Sequence, residues 1–140
     1  MYGKSNRIYS PTQVIETYQG ESHRLLVQIK DSEGVVINPS AGAIHDIRIY
    51  LVHRSTFKVT AMWSKQAAAG YALLNTVQEP APGDYKAECI LNEAQSTEAQ
   101  QGMYEIQIDL YVPNDKFDSG MQVFRQKGIL LQLNPAVNGL

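Results

Sequence analysis

The sequence predicts an all-β fold, an antiparallel β-sandwich that follows a short N-terminal arm. Apolar and polar residues alternate with a period of two in several runs, which is typical of strands with one buried and one solvated face. Clusters of Gly, Pro, Asn and Asp separate these runs, as turns do. The runs number seven or eight, and their spacing is typical of a sandwich.

The run HDIRIYLVH shows the alternation most clearly. Ile47, Ile49 and Leu51 point to one side, whereas Arg48 and Tyr50 point to the other. Four further runs place sets of apolar residues on shared faces in the same way. These sets are Leu25, Val27 and Ile29; Phe57, Val59, Ala61 and Trp63; Tyr85, Ala87, Cys89 and Leu91; and Tyr104, Ile106, Ile108, Leu110 and Val112.

Turn residues separate the predicted strands. Residues 31–34, DSEG, combine an aspartate that favours an Asx-type turn with a glycine that tolerates positive φ. Proline together with Gly, Asn or Asp marks residues 38–40, 79–84 and 113–120 as further turns.

Some segments do not alternate. Residues 92–102, NEAQSTEAQQG, are polar and helix-tolerant, so we predict a long hairpin excursion with room for one helical turn. Residues 64–70 are a small-residue connector. We therefore divide the chain into an arm (1–12), a sandwich domain (13–134) and a C-terminal tail (135–140).

The composition excludes several classes of partner. The 140 residues carry a net charge of −2 and no basic cluster, so nothing attracts a phosphate backbone and we expect no nucleic-acid partner. No run approaches 18 apolar residues, and we expect no membrane partner. The single cysteine excludes an internal disulfide. Because the N-terminus also lacks the apolar run of a signal peptide, we expect synthesis in a reducing cytoplasm.

Histidine and cysteine spacing does not indicate a metal site or a nucleophile. His45 and His53 bracket one predicted strand and are about 26 Å apart at strand rise, too far to share an ion. His23 has no partner in the sequence, so we expect solvated or strand-end histidines. Cys89 follows the alternation of a core residue, which favours a buried, unpaired thiol over a catalytic one.

The carboxylates and the absence of known catalytic motifs also indicate a protein without a metal site or an active site. Asp109 and Asp115 offer too few oxygen ligands for calcium, and we expect both to be solvated. No serine-hydrolase elbow or phosphate-binding loop occurs. We therefore predict no catalytic, cofactor-binding or metal-binding residue, and a protein that is not an enzyme.

Aromatic residues are the candidates for binding. Trp63 lies on an apolar face and is interpreted as a core anchor, with a sugar-stacking platform as the alternative. Tyr50 and Tyr111 fall on the face opposite the apolar rows. Outward tyrosines occur at protein interfaces and also as ordinary sheet-surface residues, and the sequence leaves both readings open.

The arm contains Tyr2, Ile8 and Tyr9 but no pattern that would fold it alone. Burying these side chains on a neighbouring protein would contribute roughly 1.5–3 kcal/mol each, before the cost of ordering the arm. We therefore predict that Tyr2, Ile8 and Tyr9 bind a partner, together with Tyr50 and Tyr111.

The order of motifs resembles a known family. A first group of residues forms a turn, a small-residue step and the start of an alternating strand: Asp31, Gly34, Asn38, Gly42 and Ala43. A second group precedes a later strand: Gly83, Tyr85 and Ala87. The arrangement resembles the immunoglobulin-like domains of bacteriophage virion structural proteins, notably the N-terminal domain of phage baseplate upper proteins. The chain departs from that family in lacking a coiled or collagen-like stalk and in adding the run MQVFRQKGILLQL.

The resemblance implies an immunoglobulin-like sandwich and a non-enzymatic structural role in a virion, after synthesis in the cytoplasm of a bacterial host. We expect an auxiliary capsid, head-fibre or tail adaptor subunit. Its partners would be other virion proteins, in a homo-oligomer or a larger assembly, with no cofactor. The alternative is a carbohydrate-binding or adhesin-type sandwich that uses Trp63 and the outward tyrosines.

Overall fold

The computed structural model describes residues 14–31 and 33–136. The predicted arm lies outside this range, and with it Tyr2, Ile8 and Tyr9. Of the predicted tail, only residues 135 and 136 are described.

Nine strands and one short helix make up the described part of the chain. The strands are β1 (Val14–Tyr18), β2 (His23–Val27), β3 (Asp46–His53), β4 (Val59–Ser64), β5 (Ala72–Leu73), β6 (Asn75–Gln78), β7 (Tyr85–Leu91), β8 (Gly102–Pro113) and β9 (Met121–Asn134), and the helix is α1 (Glu93–Glu98). No helix among these residues is long and apolar enough to cross a membrane.

The strands form two sheets, which confirms the all-β prediction. The large sheet has the order β1-β9-β8-β3-β4-β5, and the small sheet has the order β2-β7-β6. The prediction of purely antiparallel pairing is wrong at both edges of the large sheet, because β1 pairs parallel with β9 and β4 pairs parallel with β5. Alternation does not reveal strand direction, since side chains alternate in the same way in both arrangements.

Apolar side chains of both sheets form one hydrophobic core. The predicted inward residues Ile47, Ile49 and Leu51 of β3 are all buried. Trp63 of β4 is only 1% exposed, and its indole Nε1 donates a hydrogen bond to the Ile90 carbonyl of β7 at 3.1 Å. This bond joins the large sheet to the small one and confirms Trp63 as a core anchor.

The predicted inward positions of Phe57 and Val59 are wrong. Phe57 is 79% exposed and Val59 is also exposed. The β3–β4 ladder shifts between Leu51 and Val52, so β4 contains one extra residue, Thr60. Such a bulge moves the side chains on its far side to the opposite face of the sheet. In addition, Phe57 has a φ of 59°, a backbone conformation that turns the chain at the hairpin end.

Residues 92–102 contain the predicted helical turn, but they do not form a hairpin. They connect β7 in the small sheet to β8 in the large sheet and so cross between the two layers. Ser96 of α1 is buried. Its hydroxyl donates to the Glu21 carbonyl at 2.7 Å and accepts from the Gly20 amide at 3.0 Å. The helix is therefore fixed to the turn between β1 and β2.

The turn at residues 31–34 has the predicted Asx geometry. One carboxylate oxygen of Asp31 accepts hydrogen bonds from the amides of Glu33 and Val35, at 2.9 and 3.0 Å. Gly34 has a φ of 83°, which a residue with a side chain adopts only at a cost.

The start of β8 packs tightly against the end of β3. Gly102 has a φ of 131°, and a Cβ atom added there would lie 2.8 Å from Nε2 of His53. His53 is buried and packs edge-on against the ring of Tyr104, with centroids 4.9 Å apart. The site therefore has no room for a side chain at position 102.

Substitution Gly102→Ala should destabilise the fold by roughly 2 kcal/mol, because the new methyl group displaces His53 and the backbone is strained. Gly42→Ala is the matched control: no atom lies within 4 Å of its added Cβ, and we expect a change within about 0.5 kcal/mol. Urea unfolding of both variants measures the difference. Equal unfolding midpoints for the two variants would contradict this account of the corner.

Candidate protein-binding surface

Tyr50 and Tyr111, the predicted binding residues within the described range, lie on the same face of the large sheet, four positions apart in the β3–β8 register. They stand on the neighbouring strands β3 and β8, on the face that points away from the core, and both are half-buried. A third tyrosine, Tyr71, comes from the segment just before β5. The Tyr50 and Tyr71 hydroxyls are hydrogen-bonded at 3.0 Å, and their rings meet edge to face with centroids 5.9 Å apart.

Arg48 connects these tyrosines. Its guanidinium carbon lies 5.1 Å from the centroid of the Tyr71 ring and 4.7 Å from that of the Tyr111 ring. Such cation–π contacts contribute about 0.5–1 kcal/mol each at partly exposed sites. Arg48, Tyr50, Tyr71 and Tyr111 are called the tyrosine–arginine cluster below.

Asp46 holds Arg48 in place from beneath the cluster. One carboxylate oxygen of Asp46 accepts a hydrogen bond from Arg48 Nε at 2.9 Å. The other accepts from the Ser64 hydroxyl at 3.0 Å and from the Gln66 amide at 3.1 Å. Burial alone would raise the pKa of the Asp46 carboxyl, but these hydrogen bonds outweigh it and hold the pKa below its ordinary value of 3.8.

A second ion pair lies one strand away. Asp109 of β8 accepts two hydrogen bonds from Arg125 of β9, at 2.8 Å from Nε and 3.0 Å from a terminal nitrogen. Asp109 is 1% exposed, so its predicted solvation is wrong, whereas Asp115 is exposed in its turn as predicted. The sequence did not reveal this ion pair, because Arg125 is sixteen positions further along the chain and meets Asp109 only as its cross-strand partner in the β8–β9 ladder.

The surface is therefore ordered and close to neutral. Asp46 and Asp109 are each paired with an arginine, and the four charges sum to zero. Burial, followed by the hydrogen bond to Tyr71, raises the pKa of the Tyr50 phenol, so the hydroxyl stays protonated at physiological pH. The cluster offers aromatic area, hydroxyl groups and guanidinium donors whose positions are fixed before any partner arrives, which limits the entropy lost on binding.

Sequence reasoning identified two of the four members of the cluster. Arg48 was not among the predicted binding residues, although its place on the same face as Tyr50 in the alternating run is a signal that could have identified it. Tyr71 lies in a connector without periodicity, and only the paired strands bring it beside Tyr50.

The histidines lie apart from one another. His45 is exposed at the start of β3, and His53 is buried at its end; the prediction of strand-end positions is confirmed for both, but His53 is not solvated. His23 lies in the other sheet, where its ring is hydrogen-bonded to the Thr17 hydroxyl. Among the described residues, no group of three or more His, Cys, Asp or Glu side chains is placed to hold a metal ion.

A cavity of about 270 Å³ lies beside His53, between the β3–β4 hairpin and α1. The Nδ1 atom of His53 accepts hydrogen bonds from the amides of Ser55 and Thr56, at 3.2 and 3.3 Å. Its Nε2 atom lies 3.0 Å from the Gln101 carbonyl. Both ring nitrogens are therefore engaged by the backbone, and the ring presents no free nitrogen to the cavity.

Cys89 is buried in β7 and unpaired, as predicted. Burial raises the pKa of its thiol, which keeps it in the unreactive protonated form.

No protein-family model matches the chain, and no curated protein matches it.

Substitution Asp46→Asn should lower the free energy of unfolding at pH 7 by about 3 kcal/mol, because it leaves Arg48 without its buried partner. The folded-state pKa of Asp46 is lowered, so its stabilising contribution is present above pH 3.8 and is lost as the pH falls through the folded-state pKa. The difference in stability between wild type and variant should therefore narrow as the pH approaches 3.

Urea unfolding at several pH values measures this narrowing. Asp115→Asn, at an exposed turn, is the control and should change stability by less than about 0.5 kcal/mol. A difference between Asp46→Asn and wild type that stays constant down to pH 3 would contradict the assignment.

Proposed function

We propose that the two sheets form an immunoglobulin-like sandwich of the variable type. That fold places strands B, E and D on one sheet and strands G, F, C, C′ and C″ on the other. The order β2-β7-β6 corresponds to B-E-D, and β9-β8-β3-β4-β5 corresponds to G-F-C-C′-C″. The additional strand β1 lies outside β9.

Tyr104 supports the same proposal. It stands near the start of β8, and its hydroxyl donates a hydrogen bond to the Gln100 carbonyl at 2.5 Å. Immunoglobulin-like domains carry a tyrosine at this corner of strand F with the same upstream bond. The cysteine that follows two residues later in antibody domains is replaced here by Ile106, which fits a chain with one cysteine.

We further propose that the protein is a non-enzymatic structural subunit of a bacteriophage virion, acting as an auxiliary capsid, head-fibre or tail adaptor protein. The observation that carries this proposal is the tyrosine–arginine cluster on the outer face of the large sheet. Tyrosine and arginine are, together with tryptophan, the residues most enriched among the energetically dominant residues of protein interfaces. A surface with balanced charges suits a protein partner better than a phosphate backbone. The sequence resemblance to phage virion modules indicates which kind of assembly.

The hydrogen bonds of the buried carboxylates and of the buried imidazole support a role without catalysis. Among the described residues, the buried carboxylates and imidazole that general acid–base chemistry would use are Asp31, Asp46, Asp109 and His53. Each is occupied by structural hydrogen bonds. Buried Trp63 has no surface to stack on a sugar, which weakens the carbohydrate-binding alternative.

The phage role predicts that the protein is present in purified particles and that the tyrosine–arginine cluster retains it there. In phage that lack its coding sequence, wild-type protein supplied in trans should be incorporated. Incorporation of the double variant, Tyr50→Ala with Tyr111→Ala, should be at least about tenfold lower than that of wild type, because truncation of interface anchors commonly costs 2 kcal/mol or more. Quantitative immunoblotting of purified particles measures incorporation.

Tyr85→Ala is the control, since Tyr85 is a half-buried tyrosine of the small sheet. Circular dichroism should show that all variants remain folded. Absence of the wild-type protein from particles would refute the virion role, and undiminished incorporation of the folded double variant would refute the role of the cluster.

A further inference from the structure

Phe57, at the tip of the β3–β4 hairpin, combines an exposed side chain with an unfavourable backbone conformation. It is 79% exposed, and its φ of 59° is uncommon for a bulky residue. The Phe57 amide donates to the His53 carbonyl at 2.8 Å, and the His53 amide donates to the Lys58 carbonyl at 2.9 Å, which holds the turn in place. Glycine or asparagine adopts such a φ at lower cost. Because the exposed ring gains little packing in return, the fold alone does not account for phenylalanine at this position.

Val59 is turned outward at the same hairpin. It is 42% exposed, because the extra residue in β4 moves it away from the core face. Phe57 and Val59 are therefore two apolar residues that reach the surface through two separate irregularities of the backbone. Bulges and strained φ values are often found at functional sites.

The cavity beside His53 adjoins these two residues. Its volume is about 270 Å³, and Thr56 and Lys58, the neighbours of Phe57 in the chain, both line it together with Val59. The volume lies below the range of about 300–1,000 Å³ that is typical of pockets for drug-sized ligands, and it suits a single side chain. The chain thus carries a protruding phenyl ring and a cavity of matching size next to each other.

Two opposite charges stand at the rim of this cavity. Lys58 projects from the hairpin and Glu98 from the end of α1, and both residues line the cavity and are exposed. Within the part of the chain that the structure describes, neither side chain belongs to an ion pair. Both charges are therefore available to a partner.

We propose that a second copy of this chain docks at this corner, around a two-fold axis beside the hairpin tip, so that Phe57 of each copy enters the cavity of the other. Because the two neighbours of Phe57 line its own cavity, ring and cavity are close enough for both exchanges to occur around one axis. The interface is isologous, as in most homodimers. An aromatic side chain enclosed in a pocket of the partner is typical of the contacts that dominate interface energies.

The same arrangement pairs the charges at the rim. The hairpin that carries Phe57 into the cavity also brings its Lys58 to the rim where Glu98 of the other copy stands. This contact forms twice, once on each side of the axis. Opposite charges on two approaching surfaces favour the correct orientation over others.

This inference rests on the proposed function, which it deepens by naming a second copy as one partner of the subunit. No member of the tyrosine–arginine cluster lines the cavity, so the two contacts use different residues. Because few side chains take part, the contact is below the area of stable dimers. The isolated protein should therefore dimerise weakly, and the contact becomes firm only where a particle holds two copies together.

Sedimentation equilibrium of the full-length protein tests the dimer, with Phe57→Asn as the variant. Phe117→Asn is the matched control, because Phe117 is also an exposed phenylalanine in a turn between two strands. Wild type should dimerise reversibly below about 1 mM. Phe57→Asn should weaken dimerisation at least about tenfold, and Phe117→Asn should change it less than about twofold. A monomer at every concentration, or equal dimerisation by Phe57→Asn and wild type, overturns the proposal.

The stability of Phe57→Asn separates the contact from ordinary packing. Asparagine tolerates a positive φ better than phenylalanine does, so the monomeric variant should unfold at the same urea concentration as wild type or at a higher one. A clearly lower unfolding midpoint would show that the Phe57 ring supports its own fold, and this result overturns the proposal.

Lys58→Glu and Glu98→Lys test the pairing at the rim. Each variant alone places like charges across the axis and should dimerise at least about threefold more weakly than wild type. In an equimolar mixture of the two variants, every rim contact of the heterodimer joins a lysine to a glutamate. Association should therefore return to within about twofold of wild type. Mixing cannot restore an ion pair within one chain, so the absence of rescue overturns the proposal.

Incorporation into particles separates this inference from the proposed function. Failure of dimerisation together with normal incorporation of wild type would overturn this inference alone and leave the proposed function standing.

Discussion

The burial of the large sheet's inner face determines the rest of the structure. β3 and β8 are central strands, and their alternate side chains Ile47, Ile49, Ile106 and Ile108 are fully enclosed. Removing each such side chain from water stabilises the fold by roughly 1.5–3 kcal/mol. The small sheet covers this face, and the Trp63 indole hydrogen bond fixes the two layers together. Because side chains alternate between the two faces of a strand, the residues that alternate with these isoleucines along β3 and β8 must point to the outer face.

Some of the residues on the outer face are charged, and charged side chains that are buried there are tolerated only when they are paired with an opposite charge. Arg48 and Asp109 are cross-strand neighbours on the outer face, and the carboxylates of Asp46 and Asp109 are almost fully buried. An unpaired buried carboxylate would be destabilising by several kcal/mol. The Asp46–Arg48 and Asp109–Arg125 pairs avoid that cost, and Arg48 also contacts the Tyr71 and Tyr111 rings. The ion pairs that stabilise the sheet thus also order the side chains of its outer face. A partner could therefore bind this face without any further folding.

Much of the fold follows from local pattern. Alternation identified the faces of β3, β7 and β8, turn chemistry placed the Asp31 turn, and the polar run before Gly102 contained its short helix. Alternation failed at Phe57 and Val59, because a one-residue bulge reverses the faces and leaves no trace in a window of sequence. Parallel pairing of β1 with β9 depends on residues more than a hundred positions apart, and no local pattern encodes it.

The site was predicted less completely than the fold. Tyr50 and Tyr111 were found because they stand in strong alternating runs, whereas Tyr71 and Arg125 depend on register between strands. Asp109 was misplaced for the same reason, since its partner is set by the β8–β9 ladder.

We propose for this protein a structural role in a virion, with binding through the outer face of its large sheet. An electron cryomicroscopy reconstruction of the intact particle tests it most directly. The claim predicts density for this chain with Tyr50, Tyr71 and Tyr111 buried against a neighbouring protein. Particles that contain the chain with this face in solvent, or that contain no density for it, would contradict the claim.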